Sequence, residues 1–432
     1  MIGGTQINSG VIDHMTSAQL RSASFKRIAS AAVGIASIST LAHTQQLQTP
    51  PAATPLSASP IVRLPMDLYG GRIPFITIGV KGGRLLHVIL DTGANDDILN
   101  ARAVSELHLH VLNPERVEQP GGAIEMGKVD PIEIRLGTHV VDNIQFVSAP
   151  LDGLQPFLGR SIDGILGYGF LSRFVVELDY DRREVSFFDP ATYVAPRDAT
   201  VLPLTFRGKS PLVSVKLARP DGTLVTTWLE LDTGSFEALG LDGAWVKREG
   251  LLSGHEWTRP IFGLAIGGET KGFRFRIPTA LVGPYPIARP VASATTSDNA
   301  GSGFSDVAGV LGGEILNRFR VILRFADSSI LLVPASRLAK RSDWIDMLGA
   351  QVVAEGSAFD TLQVRALMPR TPASEAKLHV GDLIRAVDSV SGMELTLERF
   401  GTLMGEPGRR RTLRIQRGAR CLTIVVRTRR LI

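Results

Sequence analysis

The tripeptide Asp-Thr-Gly occurs twice in the chain, at residues 91–93 and 232–234, and this duplication narrowly limits the fold. Each copy closes a run of apolar, strand-like residues. The surroundings repeat as well. Residues 163–167 match residues 308–312, so that Gly167 lies 76 positions after Asp91 and Gly312 lies 80 positions after Asp232. A repeat that keeps its order and its spacing indicates two copies of one structural unit.

Short runs of Val, Ile, Leu and Phe, separated by Gly, Pro, Asp and Asn, favour an all-β fold. With 432 residues the chain has room for two or three domains. We expect two β lobes related by a pseudo-two-fold axis, at residues 61–195 and 196–340, and a small β-sandwich with one or two helices at residues 350–432.

Two carboxylates supplied by two copies of one unit are expected to face each other. Like charges about 3 Å apart cannot both ionise, so Asp91 and Asp232 would share one proton. The ionised member can then take a proton from water, while the protonated member hydrogen-bonds a carbonyl oxygen under attack. This chemistry needs no metal and no organic cofactor. The alternative is that each aspartate only begins an Asx-turn at a strand end.

With these motifs, roughly residues 61–340 resemble a pepsin-like or retropepsin-like aspartic peptidase that carries both lobes in one chain. The resemblance implies that Asp91 and Asp232 are catalytic. It also implies that the neighbouring threonines lock the two loops together, that the glycines after them keep the loops tight, and that two later glycines flank the loops. These supporting residues are Thr92, Gly93, Thr233, Gly234, Gly167 and Gly312.

The two copies differ directly after the tripeptide, where only the second has a serine, Ser235. A hydroxyl that donates to a carboxylate stabilises its charge. We therefore hypothesise that Asp232 is the more often ionised member and that Asp91 more often carries the proton. The alternative is that Ser235 only satisfies backbone groups.

A hairpin between each Asp loop and its later glycine is expected to cover the site. The candidate flap in the first copy is residues 119–127, with Gly121, Gly122 and Ile124. Residues 261–268 are the matching stretch in the second copy, so two symmetric flaps of retropepsin type are one interpretation and plain hairpins the other. Pepsin-like enzymes carry a flap tyrosine, but this chain has none between Tyr69 and Tyr168.

Residues 371–388 resemble the helix, Gly-Asp turn and strand of bacterial PDZ domains. The resemblance implies that a peptide tail binds by adding a strand. The candidate peptide loop precedes the strand at residues 361–367 but departs from the family's usual Gly-apolar-Gly-apolar form. Its residues are Gly356, Ser357, Ala358 and Phe359. The alternative is a domain that only packs on the rest of the chain.

Residues 401–432 contain nine arginines and a single acidic residue, Glu406. Their alternation with apolar residues favours a solvated strand face, and contact with an anionic membrane surface is the alternative. A nucleic-acid partner is not expected, because few aromatic residues lie among the arginines.

The N-terminal region reads as a targeting signal. Residues 1–42 are interpreted as a signal peptide that is cleaved or kept as an anchor, and residues 43–60 as a flexible linker. Cys421 is the only cysteine, so no intrachain disulfide forms. An exported protein without disulfides suits the periplasm or cell envelope.

Together these features predict an exported aspartic endopeptidase that acts on protein or peptide substrates. It should be monomeric, because one chain supplies both aspartates. The histidines form no metal-binding pattern. The alternative is a non-catalytic envelope adaptor that keeps the fold to bind peptides.

Overall fold

The computed structural model describes residues 59–119, 122–252, 259–265, 268–295, 306–339 and 347–432. The chain divides into the units Met1–Pro55 and Leu56–Ile432, and the fold below belongs to the second. The predicted signal peptide and residues 43–58 of the predicted linker lie outside the described residues. Among the helices that are described, none has the length and apolar character needed to cross a membrane.

The described residues form a mostly β structure, which confirms the predicted fold class. The first half has strands β1 (Val62–Pro65), β2 (Asp67–Tyr69), β3 (Ile73–Val80), β4 (Leu85–Leu90), β5 (Asp97–Asn100), β6 (Val111–Gln119), β7 (Gly122–Val129), β8 (Ile132–Leu136), β9 (His139–Ile144), β10 (Phe146–Ala149), β11 (Gly164–Leu166), β12 (Val175–Asp179) and β13 (Glu184–Phe188). Its α-helices are short: α1 (Ala101–Glu106), α2 (Gln155–Leu158) and α3 (Tyr168–Leu171).

The second half has strands β14 (Thr200–Arg207), β15 (Ser210–Ala218), β16 (Leu224–Asp232), β17 (Leu239–Asp242), β18 (Arg259–Ala265), β19 (Gly268–Arg276), β20 (Thr279–Val282), β21 (Tyr285–Ala288), β22 (Val291–Thr295), β23 (Val307–Gly312), β24 (Phe319–Arg324) and β25 (Ser329–Pro334). Its helices are α4 (Gly243–Arg248) and α5 (Gly313–Leu316).

The C-terminal module has strands β26 (Ala350–Glu355), β27 (Thr361–Leu367), β28 (Leu383–Val387), β29 (Val390–Ser391), β30 (Arg410–Arg417) and β31 (Arg420–Arg427), with helices α6 (Pro372–Glu375) and α7 (Leu397–Met404).

The two halves repeat one strand order. In the first half it is β6-β7-β10-β5-β11-β4-β3-β8-β9, and in the second it is β18-β19-β22-β17-β23-β16-β15-β20-β21. In each half the strand that ends at the Asp-Thr-Gly loop runs parallel to the strand that leads to the later glycine, β4 with β11 and β16 with β23. The parallel pairing brings the end of each aspartate strand beside that glycine.

A central sheet joins the halves, in the order β1-β13-β12-β24-β25-β14. Its middle pair is β12 from the first half and β24 from the second, which run antiparallel. Apolar side chains of both halves pack in one cluster. Within it, the ring centroids of Phe170, Phe174 and Phe187 lie 5.4 to 5.7 Å apart. Burial of such rings supplies much of the apolar area that stabilises a β fold.

The C-terminal module is a separate sheet with its own apolar core. Its order is β26-β27-β28-β30-β31, and β29 pairs with β28. The predicted peptide-binding strand, residues 361–367, is β27, which has β26 on one side and β28 on the other. β27 is therefore not an edge strand, and the assignment of residues 356–359 as a peptide loop stays a prediction. Within the described residues β26 is the edge strand, and Leu348 and Gly349 precede it.

Several arginines of the module pair with its own acidic residues. Arg417 binds the fully buried carboxylate of Asp382 at 2.7 Å, Arg429 binds Glu375 at 2.6 Å, and Arg411 binds Asp388 at 3.0 Å. These arginines stabilise the module itself, whereas Arg410, Arg414, Arg420 and Arg427 are exposed.

Candidate active site

The structure brings both Asp-Thr-Gly loops together, and the two threonines connect them. Thr92 Oγ1 donates to the carbonyl of Leu231 at 2.5 Å, and Thr233 Oγ1 donates to the carbonyl of Leu90 at 2.7 Å. Each hydroxyl also accepts the backbone N–H of the other threonine at 3.0 Å. Both side chains are buried. These four reciprocal hydrogen bonds form a two-fold arrangement that holds one half against the other.

The glycines of the tripeptides lie against the opposite carboxyl groups. A Cβ atom on Gly93 would lie 2.8 Å from Cγ of Asp232, and one on Gly234 would lie 2.4 Å from Cγ of Asp91. No side chain fits at either position. The absence of a Cβ therefore lets each loop approach the other half's aspartate closely.

The later glycines, Gly167 and Gly312, pack closely against the backbone that follows each Asp-Thr-Gly tripeptide. A Cβ atom on Gly167 would lie 2.5 Å from the carbonyl oxygen of Ala94, and one on Gly312 would lie 2.4 Å from that of Glu237. The residue after each glycine continues the repeat, because Tyr168 N donates to Ala94 at 2.9 Å and Gly313 N donates to Ser235 at 2.8 Å.

The two aspartates hydrogen-bond each other and are unequal. Burial raises the pKa of Asp91, but the backbone N–H groups of Gly93, Gly234 and Ala94 lower it. Burial raises the pKa of Asp232 well above its usual range, and the charges of Asp91 and Glu230 raise it further. Amide donors stabilise a carboxylate. The causes of these shifts favour Asp91 as the ionised member and Asp232 as the member that carries the proton.

This assignment reverses the expectation that Asp232 is the more often ionised member. That expectation depended on the Ser235 hydroxyl, but the backbone N–H of Ser235 is the group that donates to Asp232 Oδ1, at 2.8 Å. The hydroxyl accepts the N–H of Glu237 at 3.4 Å. Ser235 thus satisfies backbone groups, and Asp91 has the larger number of amide donors.

Both predicted flap regions are antiparallel hairpins, β6–β7 and β18–β19, between an Asp loop and its later glycine. Their tips, residues 120–121 and 266–267, lie outside the described residues, and Gly121 is among them. Gly122 pairs with Gln119 at the end of the first hairpin. Ile124 packs against the apolar cluster that contains Ile89, two residues before Asp91. Their role as flaps stays a prediction.

Sequence reasoning missed a link between the halves at Arg72. This buried residue lies in the turn before β3, and its guanidinium donates to the carbonyl of Phe236 at 3.0 Å. The guanidinium carbon lies 4.4 Å from the centroid of the Phe236 ring. Because Phe236 directly follows Ser235, the link positions the second Asp-Thr-Gly loop. An arginine in the turn between β2 and β3, directly after Gly70 and Gly71, carries no sequence signal for such a contact.

Sequence reasoning also missed Asp97, a buried carboxyl at the start of β5. Its Oδ1 accepts the N–H groups of Gly167 at 2.7 Å and Phe170 at 3.2 Å, which fixes the support beside the first loop. Burial raises the pKa of Asp97 to about 7, against the lowering effect of these amide donors. By strand register its counterpart in the second half is Leu239, so the carboxyl belongs to one half only.

We expect Asp97 to make folding stability depend on pH. The folded state holds the proton up to about pH 7, whereas an ordinary aspartate loses it near 3.8. The protonated Asp97 therefore makes its full contribution to the free energy of unfolding below about pH 4, and this contribution is lost as the pH rises towards 7. Melting temperatures of the wild type and Asp97→Asn from pH 4 to 8 test this. The variant should lose less stability across that range, and parallel curves would contradict the assignment.

A model of the aspartyl protease family matches residues 76–170, which begin within β3 and end within α3. The match contains Asp91, the β6–β7 hairpin and Gly167, and it supports an aspartyl protease domain in this part of the chain. A search of curated proteins gives no match.

Proposed function

We propose that the chain is an aspartic endopeptidase in which Asp91 and Asp232 activate water against a peptide bond. The observation that carries this proposal is the pair of hydrogen-bonded carboxyl groups, held between two loops by the reciprocal bonds of Thr92 and Thr233. A binding protein would need neither a shared proton nor glycines that bring each loop against the opposite carboxyl.

The mechanism follows from the inequality of the two aspartates. Asp91, with its amide donors, takes a proton from a water that attacks the substrate carbonyl carbon. Asp232 donates its proton in a hydrogen bond to the carbonyl oxygen as negative charge develops there. Asp232 passes this proton to the oxygen as the tetrahedral intermediate forms. When the intermediate breaks at the C–N bond, its hydroxyl returns the proton to Asp232, and the proton held by Asp91 passes to the leaving amine. This cycle returns the pair to its initial state with one shared proton.

The repeated strand order favours a bilobal pepsin-like or retropepsin-like enzyme, with lobes at residues 61–195 and 196–340. Because both aspartates belong to one chain, the site needs no second copy, and we propose that the enzyme is monomeric. The two hairpins would close over a peptide from opposite sides and exclude water.

We propose that the C-terminal module is PDZ-like and recruits a substrate or a partner's tail through the edge strand β26. In this structure the first half covers part of the surface beside that strand. A Cβ atom on Gly159, which follows α2, would lie 2.9 Å from Cβ of Leu397 in α7 and 3.5 Å from Cβ of Ala354 in β26. The next residue, Arg160, lies 3.9 Å from Glu398. A peptide that binds between β26 and α7 would have to displace this contact.

Gly159→Val should loosen the module from the first half. Gly159 has a φ of 61°, so a branched side chain is strained there as well as too close to Leu397. We expect limited proteolysis to cut the variant between the second half and the module faster than the wild type. Gly208→Val provides a control, since Gly208 has a similar φ of 59° and open space around it. Equal cleavage rates for the wild type and Gly159→Val would contradict the contact.

We also propose export to the periplasm or cell envelope. The sequence of residues 1–42 supports this. N-terminal sequencing of the exported chain tests it, and we expect the chain to start near residue 43.

We further propose that the exposed arginines of β30 and β31 contact an anionic membrane. Sedimentation of the protein with anionic and with neutral vesicles tests this proposal.

The direct test of the proposed function is cleavage of an unstructured protein by the purified chain between pH 3 and 8. We expect endoproteolytic fragments and complete inhibition by a statine-type transition-state analogue, which mimics the tetrahedral intermediate. Cleavage that the analogue does not affect would point to a contaminating protease. No cleavage by the folded chain at any pH would favour a peptide-binding adaptor.

A further inference from the structure

The two halves place different side chains beside their aspartates. By strand register, Ile89 pairs with Phe75 on one side and Ile165 on the other. In the second half, Glu230 pairs with Leu212 and Val310 at the same positions. Each lies two residues before its aspartate, so Ile89 and Glu230 are structural counterparts. The duplication has an apolar residue in one copy and a carboxylate in the other.

Strand alternation places Glu230 on the face of β16 that carries Asp232. Leu229 and Leu231 are fully buried on the opposite face, in the common core. Glu230 interacts electrostatically with both Asp91 and Asp232, in agreement with its place on this face of β16. Glu230 is therefore a third carboxyl at the site, on the side of the second half.

Glu230 is only partly neutralised by its surroundings. Burial raises the pKa of Glu230, its hydrogen bond with Ser210 lowers it, and the charge of Asp91 raises it further. Among the described residues, no cation acts on its ionisation. Nearby Glu237 differs, because the Ser293 hydroxyl donates to it and the charge of Arg72 interacts with it. Across the described residues, no group of three acidic, histidine or cysteine side chains is arranged to hold a metal ion. A positively charged substrate side chain is then the natural partner of Glu230.

The corresponding side of the site in the first half is apolar. Ile89 belongs to a cluster with Phe75, Ile98 and Ile165, and Ile124 of the β6–β7 hairpin packs against it. In the second half the counterpart of Ile98 is Gly240, by its pairing with Val310. The two sides of the site thus differ in polarity as well as in charge.

We propose that Glu230 gives the enzyme a preference for lysine or arginine at one of the two residues flanking the scissile bond, with an apolar residue on the other side. This inference rests on the proposed function, because it places the peptide across the two aspartates. A lysine or arginine side chain would form a charge-assisted hydrogen bond with Glu230, while the apolar neighbour would lie against the Ile89 cluster.

The test compares kcat/KM for peptides that differ only at the two flanking positions, with Lys, Arg, Leu or Glu at each. We expect Lys or Arg to exceed Leu about tenfold at one position, since a charge-assisted hydrogen bond is about twice as strong as a neutral one. Glu230→Gln keeps the shape and should remove the preference. Glu230→Ile copies the first half and should favour Leu there. The control is Glu133→Gln, which removes an exposed carboxylate paired with Arg135.

The outcomes separate this inference from the proposed function. Cleavage that needs both aspartates, but whose preference is unchanged in Glu230→Gln, overturns the role of Glu230 and leaves the protease intact. The absence of any cleavage dependent on the aspartates overturns both. A preference that disappears in Glu230→Gln and persists in Glu133→Gln supports the proposal.

Discussion

Asp91→Asn and Asp232→Asn should each lower kcat by about a thousandfold or more, since general acid or base catalysis by one group is worth about 10² to 10⁴ and each aspartate also acts in electrostatic stabilisation. Asparagine at position 91 cannot take a proton from water. Asparagine at position 232 can donate a hydrogen bond but cannot transfer a proton. Because the pair acts as one unit, the kcat of the double variant should lie within a small factor of the kcat of the slower single variant.

The comparison needs a control of equal chemistry and proof that the variants fold. Asp130→Asn removes an exposed carboxyl at the end of the β6–β7 hairpin region and should retain full activity. Circular dichroism and melting curves should show that the catalytic variants are folded. Residual activity above about one tenth in either variant would place the chemistry elsewhere, since loss of a catalytic acid or base costs at least about a hundredfold.

Thr233→Val should lower the free energy of unfolding by about 2–6 kcal/mol, since it leaves two buried backbone groups without partners at about 1–3 kcal/mol each. The hydroxyl donates to Leu90 at 2.7 Å and accepts the N–H of Thr92 at 3.0 Å. Valine keeps the shape of threonine but removes both bonds. Activity should fall as well, because the two loops are then free to separate. By the two-fold arrangement, Thr92→Val should have an effect of similar size.

Urea denaturation of the wild type, Thr233→Val and Thr233→Ser measures this effect. Serine retains the hydroxyl, so Thr233→Ser should keep most of the stability that Thr233→Val loses. Thr205→Val removes an exposed hydroxyl on β14 and should change stability by less than about 0.5 kcal/mol, as is usual for surface substitutions. The two single losses should not add in Thr92→Val/Thr233→Val, because both residues form the same network. Additive losses would show that the two threonines act independently, and a Thr233→Val variant as stable as the wild type would show that the four bonds contribute little.

Most of what could be predicted from the sequence came from the repeat that contains the two Asp-Thr-Gly motifs. The Asp-Thr-Gly motifs, the later glycines and their spacing predicted the all-β fold and named the residues that the structure brings together. The position of the shared proton could not be predicted from the sequence, because it depends on how many amides point at each carboxyl, and the backbone conformation of a loop cannot be read from its residue types. The open edge of the C-terminal module could not be predicted from the sequence, because the neighbours of a strand are set by long-range pairing.

Local pattern alone determined that this chain has two copies of a β unit, each ending an apolar strand at an aspartate, because alternation, turn residues and repeat spacing are properties of short segments. The tertiary structure decided which contacts cross between the copies, namely the threonine bonds and the Arg72 link to Phe236. Those contacts join residues about 140 to 164 positions apart. Their geometry depends on the packing of both halves at once, which no single segment encodes.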